Sequence, residues 1–217
     1  MILDPISLYC ERTTPGLWDE PFSLLASLAF LPAGIVLRRF SRDLPQLRLM
    51  AALSLFMCPA ALALHSFPSL LTLALSLLSI LVVMLHYVFL LTRDVLRLPG
   101  WITVCCVALI LPFAVLSLPL VVPMRGAVSS VAYAAVPLLI LGYAVILRHD
   151  APDTAKGLFV VVLMMAVALV ARSADVPLCG RWPHGTHFLW IILGACILVQ
   201  MGRVYRRHML AGPGGGG

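Results

Sequence analysis

Two histidines are the residues of this chain whose type and position best suit chemistry. His65 ends one apolar stretch and His187 begins another. If neighbouring stretches run antiparallel, as short connections require, the two imidazoles lie at one depth of a helical bundle. Two imidazoles could begin a zinc site, which for catalysis needs three protein ligands and an open position for water. The alternative is two separate polar histidines that bond to water or to a carbonyl.

Further polar groups are concentrated in the segment 172–190, which reads RSADVPLCGRWPHGTHFLW and lies between two apolar stretches. Charged groups at membrane depth are costly, so they are usually paired or functional. The ionisable residues of this segment, apart from Arg181, are Arg172, Asp175, Cys179, His184 and His187.

Arg172 and Asp175 are expected to have a structural role. Pairing is the usual remedy for charge at a membrane boundary. We therefore expect these two residues to pair with each other or with Glu11 and Glu20. Direct contact with a lipid headgroup is the alternative.

The elements that position these residues must be helices in a membrane. Of the 217 residues, 62% are hydrophobic and 11% are charged, and the mean hydropathy is +1.05. Soluble domains contain about 45–50% apolar residues, so this composition excludes an ordinary soluble protein. The net charge of +6 comes from short segments between apolar stretches, so we expect no nucleic-acid partner.

The apolar stretches predict an all-α bundle of seven membrane spans. A span needs about 20 mainly apolar residues, because each backbone amide must bond within the segment. Residues 1–21 are then an extracytoplasmic segment, 22–207 the transmembrane domain and 208–217 a disordered glycine-rich tail. The predicted spans are Phe22–Leu37, Leu49–His65, Leu70–Leu91, Trp101–Val121, Ala127–Leu147, Lys156–Ala171 and Thr186–Val204.

The distribution of Lys and Arg predicts the orientation of the bundle. Eleven of these residues fall on one side, and Arg12, Arg125, Arg172 and Arg181 fall on the other. Positive residues favour the cytoplasmic side. We therefore expect the N-terminus outside and the C-terminus in the cytoplasm.

This orientation places Cys10 and Cys179 together on the oxidising side, where they can form a disulfide. The alternative is two unpaired thiols. The other four cysteines lie within predicted spans and are expected to be small apolar core residues. They are Cys58, Cys105, Cys106 and Cys196.

Two blocks of sequence resemble the alkaline ceramidase family, especially its bacterial ceramidase-domain members. One is R-S-A-D-x-P-x-C followed by G-T-H-F-L-W within 172–190, and the other is YCERTTPGLWDEP at 9–21. Their order and the number of spans between them agree with the family over nearly the whole chain. The resemblance implies a seven-helix bundle of the ceramidase type with a polar chamber toward the non-cytoplasmic side. It also implies a disulfide between Cys10 and Cys179, and we expect a bacterial inner-membrane protein.

The resemblance implies zinc-dependent hydrolysis of the amide bond of ceramide-like membrane lipids. The family holds zinc with one histidine of the second span and an H-x-x-x-H pair of the seventh. His65 and His187 match two of these ligands, but the third position is Ile191. The family's serine before the second-span histidine aligns with Ala61, and its aspartate near the start of the third span aligns with Ser76.

These substitutions predict that the chain neither binds zinc tightly nor hydrolyses ceramide at the rate of intact members. Isoleucine cannot ligate, and a zinc-bound hydroxide needs its ligands and a neighbouring carboxylate. A rebuilt site with His184 as third ligand is the alternative, although Gly185 argues against a helix that begins early enough.

Two other functions compete with the hydrolase. One is a non-catalytic relative that binds lipid as a sensor, carrier or partner-binding subunit. The other is a channel or transporter, which ranks last because no span carries a run of pore-lining polar residues.

Calcium is a second metal that the resemblance brings into question. Related eukaryotic enzymes bind it through carboxylates of the N-terminal segment, and Glu11 and Glu20 match two of these positions. Other ligand positions align with Leu8 and Thr13, so we expect no full set of six to eight oxygen ligands. The alternative role for Asp19 and Glu20 is stabilisation of the first helix through its dipole.

The predicted topology can be tested with reporter fusions. A reporter that is active only in the cytoplasm should be active when fused after Gly212 and inactive when fused after Gly180. Activity of a periplasmic reporter alone at Gly212 would contradict the charge argument.

Overall fold

The computed structural model of the chain describes residues 9–12, 16, 18–110 and 127–211, with side chains omitted for 127–132. The regular secondary structure of these ranges is helical, and they contain no strand. A 3₁₀ turn, Pro45–Leu47, precedes α3, and a π-helical turn, Leu91–Val95, continues α4. The α-helices of the described ranges are α1 (Pro21–Ser27), α2 (Phe30–Phe40), α3 (Arg48–Ser66), α4 (Leu70–Leu90), α5 (Gly100–Ala108), α6 (Ala127–Ile146), α7 (Pro152–Leu178) and α8 (His187–Ala211).

Several of these helices are long and apolar enough to cross a membrane, so the prediction of an all-α, multi-pass membrane protein is confirmed. The fourth predicted span continues beyond Ile110 into residues 111–126, which lie outside the described ranges. The fifth corresponds to α6, whose part Tyr133–Ile146 is apolar but shorter. The number seven therefore stays a prediction. The five candidate spans are Pro21–Phe40, Pro45–Ser66, Leu70–Val95, Pro152–Leu178 and His187–Ala211.

Local sequence explains where the spans begin. Pro21, Pro45 and Pro152 stand in first turns, where the missing N–H removes no helical hydrogen bond. Ser69 caps α4 by accepting a hydrogen bond from the Thr72 amide at 3.1 Å, while the Thr72 hydroxyl accepts from the Ser69 amide at 2.9 Å. Such a reciprocal cap satisfies amides that a helix end leaves unbonded.

The bundle core is formed where α2 packs on α3 and α8, and where α7 packs between α6 and α8. Close approach of α2 and α8 depends on Gly202, because a Cβ there would overlap the side chain of Leu37. Small residues at such contacts are typical of helix packing in membranes.

The two ends of the bundle differ in polarity. We call the end that contains His65, His187 and the described residues of the N-terminal segment up to Glu20 the histidine end. A cavity of about 1090 Å³ lies at the opposite end, lined by Asp94, Arg97, Arg203 and others. The polar chamber was expected at the histidine end, but the polar side chains described there are buried largely against one another.

The histidine end is closed by a disulfide between Cys10 and Cys179, whose Cα atoms are 5.4 Å apart. The predicted pairing is thus confirmed, and it joins the N-terminal segment to the end of α7. Cys58 is buried as expected, whereas Cys105 and Cys196 are exposed on the bundle surface. The expectation of core positions is wrong for these two, because an apolar thiol on a membrane span is equally compatible with a surface that faces lipid.

Removal of the disulfide should destabilise the protein. The bridge closes a loop of 169 residues, and disulfides in proteins typically stabilise by about 2–4 kcal/mol. We expect the double variant Cys10→Ser, Cys179→Ser to lose that much free energy of unfolding in denaturant titrations in detergent. The control Cys196→Ser should change it by less than about 0.5 kcal/mol. Two free thiols in the non-reduced wild-type protein would contradict the assignment.

Candidate functional site at the histidine end

The structure places His65 and His187 side by side. His65 lies in the last turn of α3 and His187 is the first residue of α8. Their ring centroids are 5.5 Å apart, and both residues are buried. The antiparallel packing of spans thus brings the two imidazoles together, as their positions in the sequence predict.

A buried carboxylate, Glu20, holds one of these imidazoles in place. One of its oxygens bonds to Nδ1 of His65, and the other accepts from Nε of Arg12 at 2.5 Å. Arg12 also donates to the backbone carbonyl of His65 at 2.5 Å. Because Glu20 occupies Nδ1, only Nε2 of the His65 ring remains for any other partner.

The acid that caps the first helix is Glu11 rather than Glu20. Its carboxylate accepts from the amide of Phe22 at 2.5 Å, from the amide of Ser23 at 3.2 Å and from the Ser23 hydroxyl at 2.8 Å. Glu20 is the residue before α1, but its side chain makes no capping hydrogen bond. The dipole role expected for Asp19 and Glu20 stays a prediction, and the carboxylate of Glu20 is in addition bonded to Arg12 and His65.

Asp175 determines where α8 begins. Its carboxylate accepts from the backbone amides of Thr186 at 2.7 Å, His187 at 2.8 Å and Cys10 at 3.0 Å. Gly185 stands directly before Thr186 and has a φ of +60°, and a side chain at this position would overlap Asp175. Since left-handed backbone favours glycine, this turn fixes the helix start and the position of His187.

The boundary predicted for the sixth span is wrong. That span was expected to end at Ala171, but α7 continues to Leu178 and includes Pro177. Arg172 and Asp175 are therefore helical residues and do not belong to a loop. A helix of 27 residues spans about 40 Å at 1.5 Å per residue, so α7 can extend beyond the apolar core of a membrane.

Arg172 forms no direct ion pair with Asp175, Glu11 or Glu20, although Asp175 is close enough to attract its charge. Its guanidinium carbon lies 5.0 Å from the ring centroid of Tyr133 and 5.6 Å from that of Trp190. Its Nε is buried and has no hydrogen-bond partner. The described ion pairs do not include Arg172, because the carboxylate of Asp175 is bonded to backbone amides.

Tyr9 is a site residue that the sequence did not single out. Its ring is stacked on His187 with centroids 3.8 Å apart, and it lies 5.7 Å from His65. Burial raises the pKa of its hydroxyl, although the nearby Arg172 cation acts in the opposite direction. Tyr9 is therefore a neutral phenol at physiological pH. Its position next to Cys10, whose disulfide draws the segment onto the helices, was the available signal.

The three substituted positions contribute no metal ligand to the histidine pair. Ile191, one turn after His187, is buried in the apolar core. Ala61 is packed against that core, and the Ser76 hydroxyl donates to the carbonyl of Ala60 at 3.2 Å.

His184 lies apart from the pair. It is exposed, and its ring lies 4.7 Å from that of Phe22 and 6.2 Å from that of Trp182. The described residues contain no group of three or more His, Cys, Asp or Glu side chains placed to hold a metal. The donors at the histidine end therefore do not fit the three-ligand zinc site that the sequence resemblance implies. Glu11 and Glu20 are each bonded to protein donors, and the expectation of no full calcium site stays a prediction.

Comparisons with protein-family models, with curated proteins and with solved structures give no match to this chain. Function must therefore be inferred from the site itself. The site offers two neighbouring imidazoles, a cation held by aromatic rings and a buried phenol. These groups can recognise a polar head by hydrogen bonding and charge.

Loss of the Glu20 carboxylate should destabilise the whole end of the bundle. In Glu20→Gln, Arg12 remains buried without a counter-charge, and breaking a buried ion pair in this way costs about 3–5 kcal/mol. The control Asp153→Asn removes an exposed ion pair with Lys156 and should cost less than about 1 kcal/mol. Denaturant unfolding in detergent measures both. Equal effects of the two variants would show that the buried network does not carry the stability assigned to it.

Proposed function

We propose that the chain is a ceramidase-like membrane protein that binds a long-chain, ceramide-like lipid at the histidine end and does not hydrolyse it through zinc. The position of Ile191 carries this proposal. A third imidazole at that position would lie one turn from His187, on the face that a shared metal needs, and an apolar side chain packed in the core is found instead.

The remaining chemistry of amide hydrolysis also lacks support at the site. Attack on an amide needs a group that takes the proton of water, and such assistance is typically worth about 10²–10⁴ in rate. Ser76 stands where the family's carboxylate is expected, and its hydroxyl is bonded to a backbone carbonyl. The nearest carboxylate to the imidazoles is that of Glu20, which already neutralises Arg12.

Binding without hydrolysis is compatible with the groups that are present. A ceramide-like head carries hydroxyl and amide groups that can bond to the unpartnered Nδ1 of His187 and Nε of Arg172. The acyl chains can lie against the exposed apolar side chains of the spans, among them Leu25, Leu163 and Val170. The charge asymmetry supports an orientation with this end outside the cytoplasm, as expected for a protein of a bacterial inner membrane.

The zinc-dependent hydrolase that the resemblance implies is the second candidate. The buried rings of His65 and His187 lie 5.5 Å apart between centroids. This closeness favours the hydrolase over functions in which the two histidines have no role. The hydrolase would require a third ligand from outside the described residues or a movement of His184.

The proposal predicts binding of ceramide without zinc and without turnover. Purified protein in a neutral detergent should contain zinc far below one equivalent by elemental analysis and should release no fatty acid from a ceramide panel. Long-chain ceramide should nevertheless bind, as measured by native mass spectrometry and by a raised unfolding temperature. Ligand binding to the folded state stabilises it by mass action.

A gain-of-function variant provides the counterpart. Ile191→His with Ser76→Asp and Ala61→Ser should acquire zinc, whereas the control Ile191→Leu with the same two changes should not. Stoichiometric zinc with ready turnover in the unmodified protein would overturn the proposal, and its loss in His184→Ala would identify the substitute ligand. Absence of any lipid binding would overturn the binding function itself.

A further inference from the structure

Arg172 is a cation that forms no direct ion pair with a carboxylate of the described residues, although Asp175 is close enough to attract it. Its Nε is buried and unbonded, while a minor part of the side chain remains accessible. The rings of Tyr133 and Trp190 hold the guanidinium within 6 Å of their centroids. Such cation–π contacts orient the charge without neutralising it.

The acids near Arg172 all have other partners. Asp175 accepts hydrogen bonds from three backbone amides. Glu11 caps α1, and Glu20 pairs with Arg12. A buried charge that lacks a direct counter-charge is costly, so its retention indicates a partner. Of the nine Asp and Glu residues of the chain, Asp4 is the one outside the described ranges.

A second unbonded atom lies beside this cation. Nδ1 of His187 is buried and has no hydrogen-bond partner, and the charge of Arg172 is close enough to act on that imidazole. The Tyr9 hydroxyl is within hydrogen-bonding reach of Arg172, while its ring covers His187. Buried polar atoms are rarely left unbonded, so two in one place point to a ligand.

We propose that the histidine end binds a lipid whose head carries an oxyanion, a phosphate or a carboxylate, with Arg172 as the residue that recognises the charge. This inference rests on the proposed lipid-binding function and names the class of lipid. The planar guanidinium presents several N–H donors in a geometry that matches both oxyanions. Tyr9, which stays a neutral phenol, can donate a further hydrogen bond. A neutral ceramide satisfies the hydrogen bonds but leaves the charge unpaired.

The test compares matched probes on the purified full chain in a neutral detergent. The probes are a long-chain ceramide, the same ceramide carrying a phosphate monoester, a long-chain fatty acid and inorganic phosphate. We expect the two anionic lipids to raise the unfolding temperature more than ceramide does, and inorganic phosphate to leave it unchanged. Arg172→Gln should lower the affinity for the phosphorylated ceramide by about tenfold or more. The control Arg181→Gln, an exposed arginine of the neighbouring loop, should retain it.

Stability without lipid separates ligand recognition from an internal ion pair. If Arg172 binds a ligand, Arg172→Gln loses only its ring contacts with Tyr133 and Trp190 and unfolds close to the wild-type temperature in lipid-free detergent. If Arg172→Gln and Asp4→Asn both lower the unfolding temperature without lipid, the cation has an internal partner and the inference fails. Should Arg172→Gln not fold, native mass spectrometry of the wild type with equal amounts of both ceramides decides, and equal occupancy refutes a charge preference.

The remaining outcomes distinguish this inference from the function on which it rests. Equal binding of neutral and phosphorylated ceramide overturns the charge recognition and leaves the lipid-binding function standing. If inorganic phosphate stabilises the protein as much as the phosphorylated ceramide does, the site binds a free anion and the lipid assignment is overturned. No binding of any lipid overturns both.

Discussion

The arrangement of the histidine end depends on one buried carboxylate. Glu20 neutralises Arg12 and bonds to His65 in a region from which water is largely excluded. An ion pair in such a place is stable only when both charges are well hydrogen-bonded, and the additional bond from Arg12 to the carbonyl of His65 meets that condition. Through these contacts the segment before α1 becomes part of the bundle.

Two further contacts fix the N-terminal segment to the helices. The Cys10–Cys179 disulfide joins the segment to α7, and Asp175 bonds to the amide of Cys10 and to the first amides of α8. The consequence for function is that three carboxylates serve to hold helices and the N-terminal segment together. In the part of the chain that the structure describes, Nε of Arg172 and Nδ1 of His187 are left without a hydrogen bond, which suits the proposed recognition of a polar lipid head better than activation of water.

The sequence predicted those features that follow from the membrane and from chain direction. Helical spans follow from apolar length, and antiparallel spans bring His65 to the level of His187 and Cys10 to that of Cys179. It did not predict that α7 continues through Arg172 to Leu178, because polar residues that follow an apolar run are expected to form a loop. Nor did it assign the partners of Glu11 and Glu20. Nine residues separate them in sequence, and only the folded path decides which carboxylate reaches the amides of α1.

The described residues of the histidine end do not form the ligand set of a catalytic zinc site. Titration of the metal-free protein with cobalt(II) tests it most directly, since cobalt(II) in a tetrahedral protein site gives intense visible absorption, whereas hydrated cobalt(II) does not. The account predicts no saturable visible band at one equivalent of cobalt. A band that saturates at one equivalent, disappears in both His65→Ala and His187→Ala and is abolished by competing zinc would contradict it.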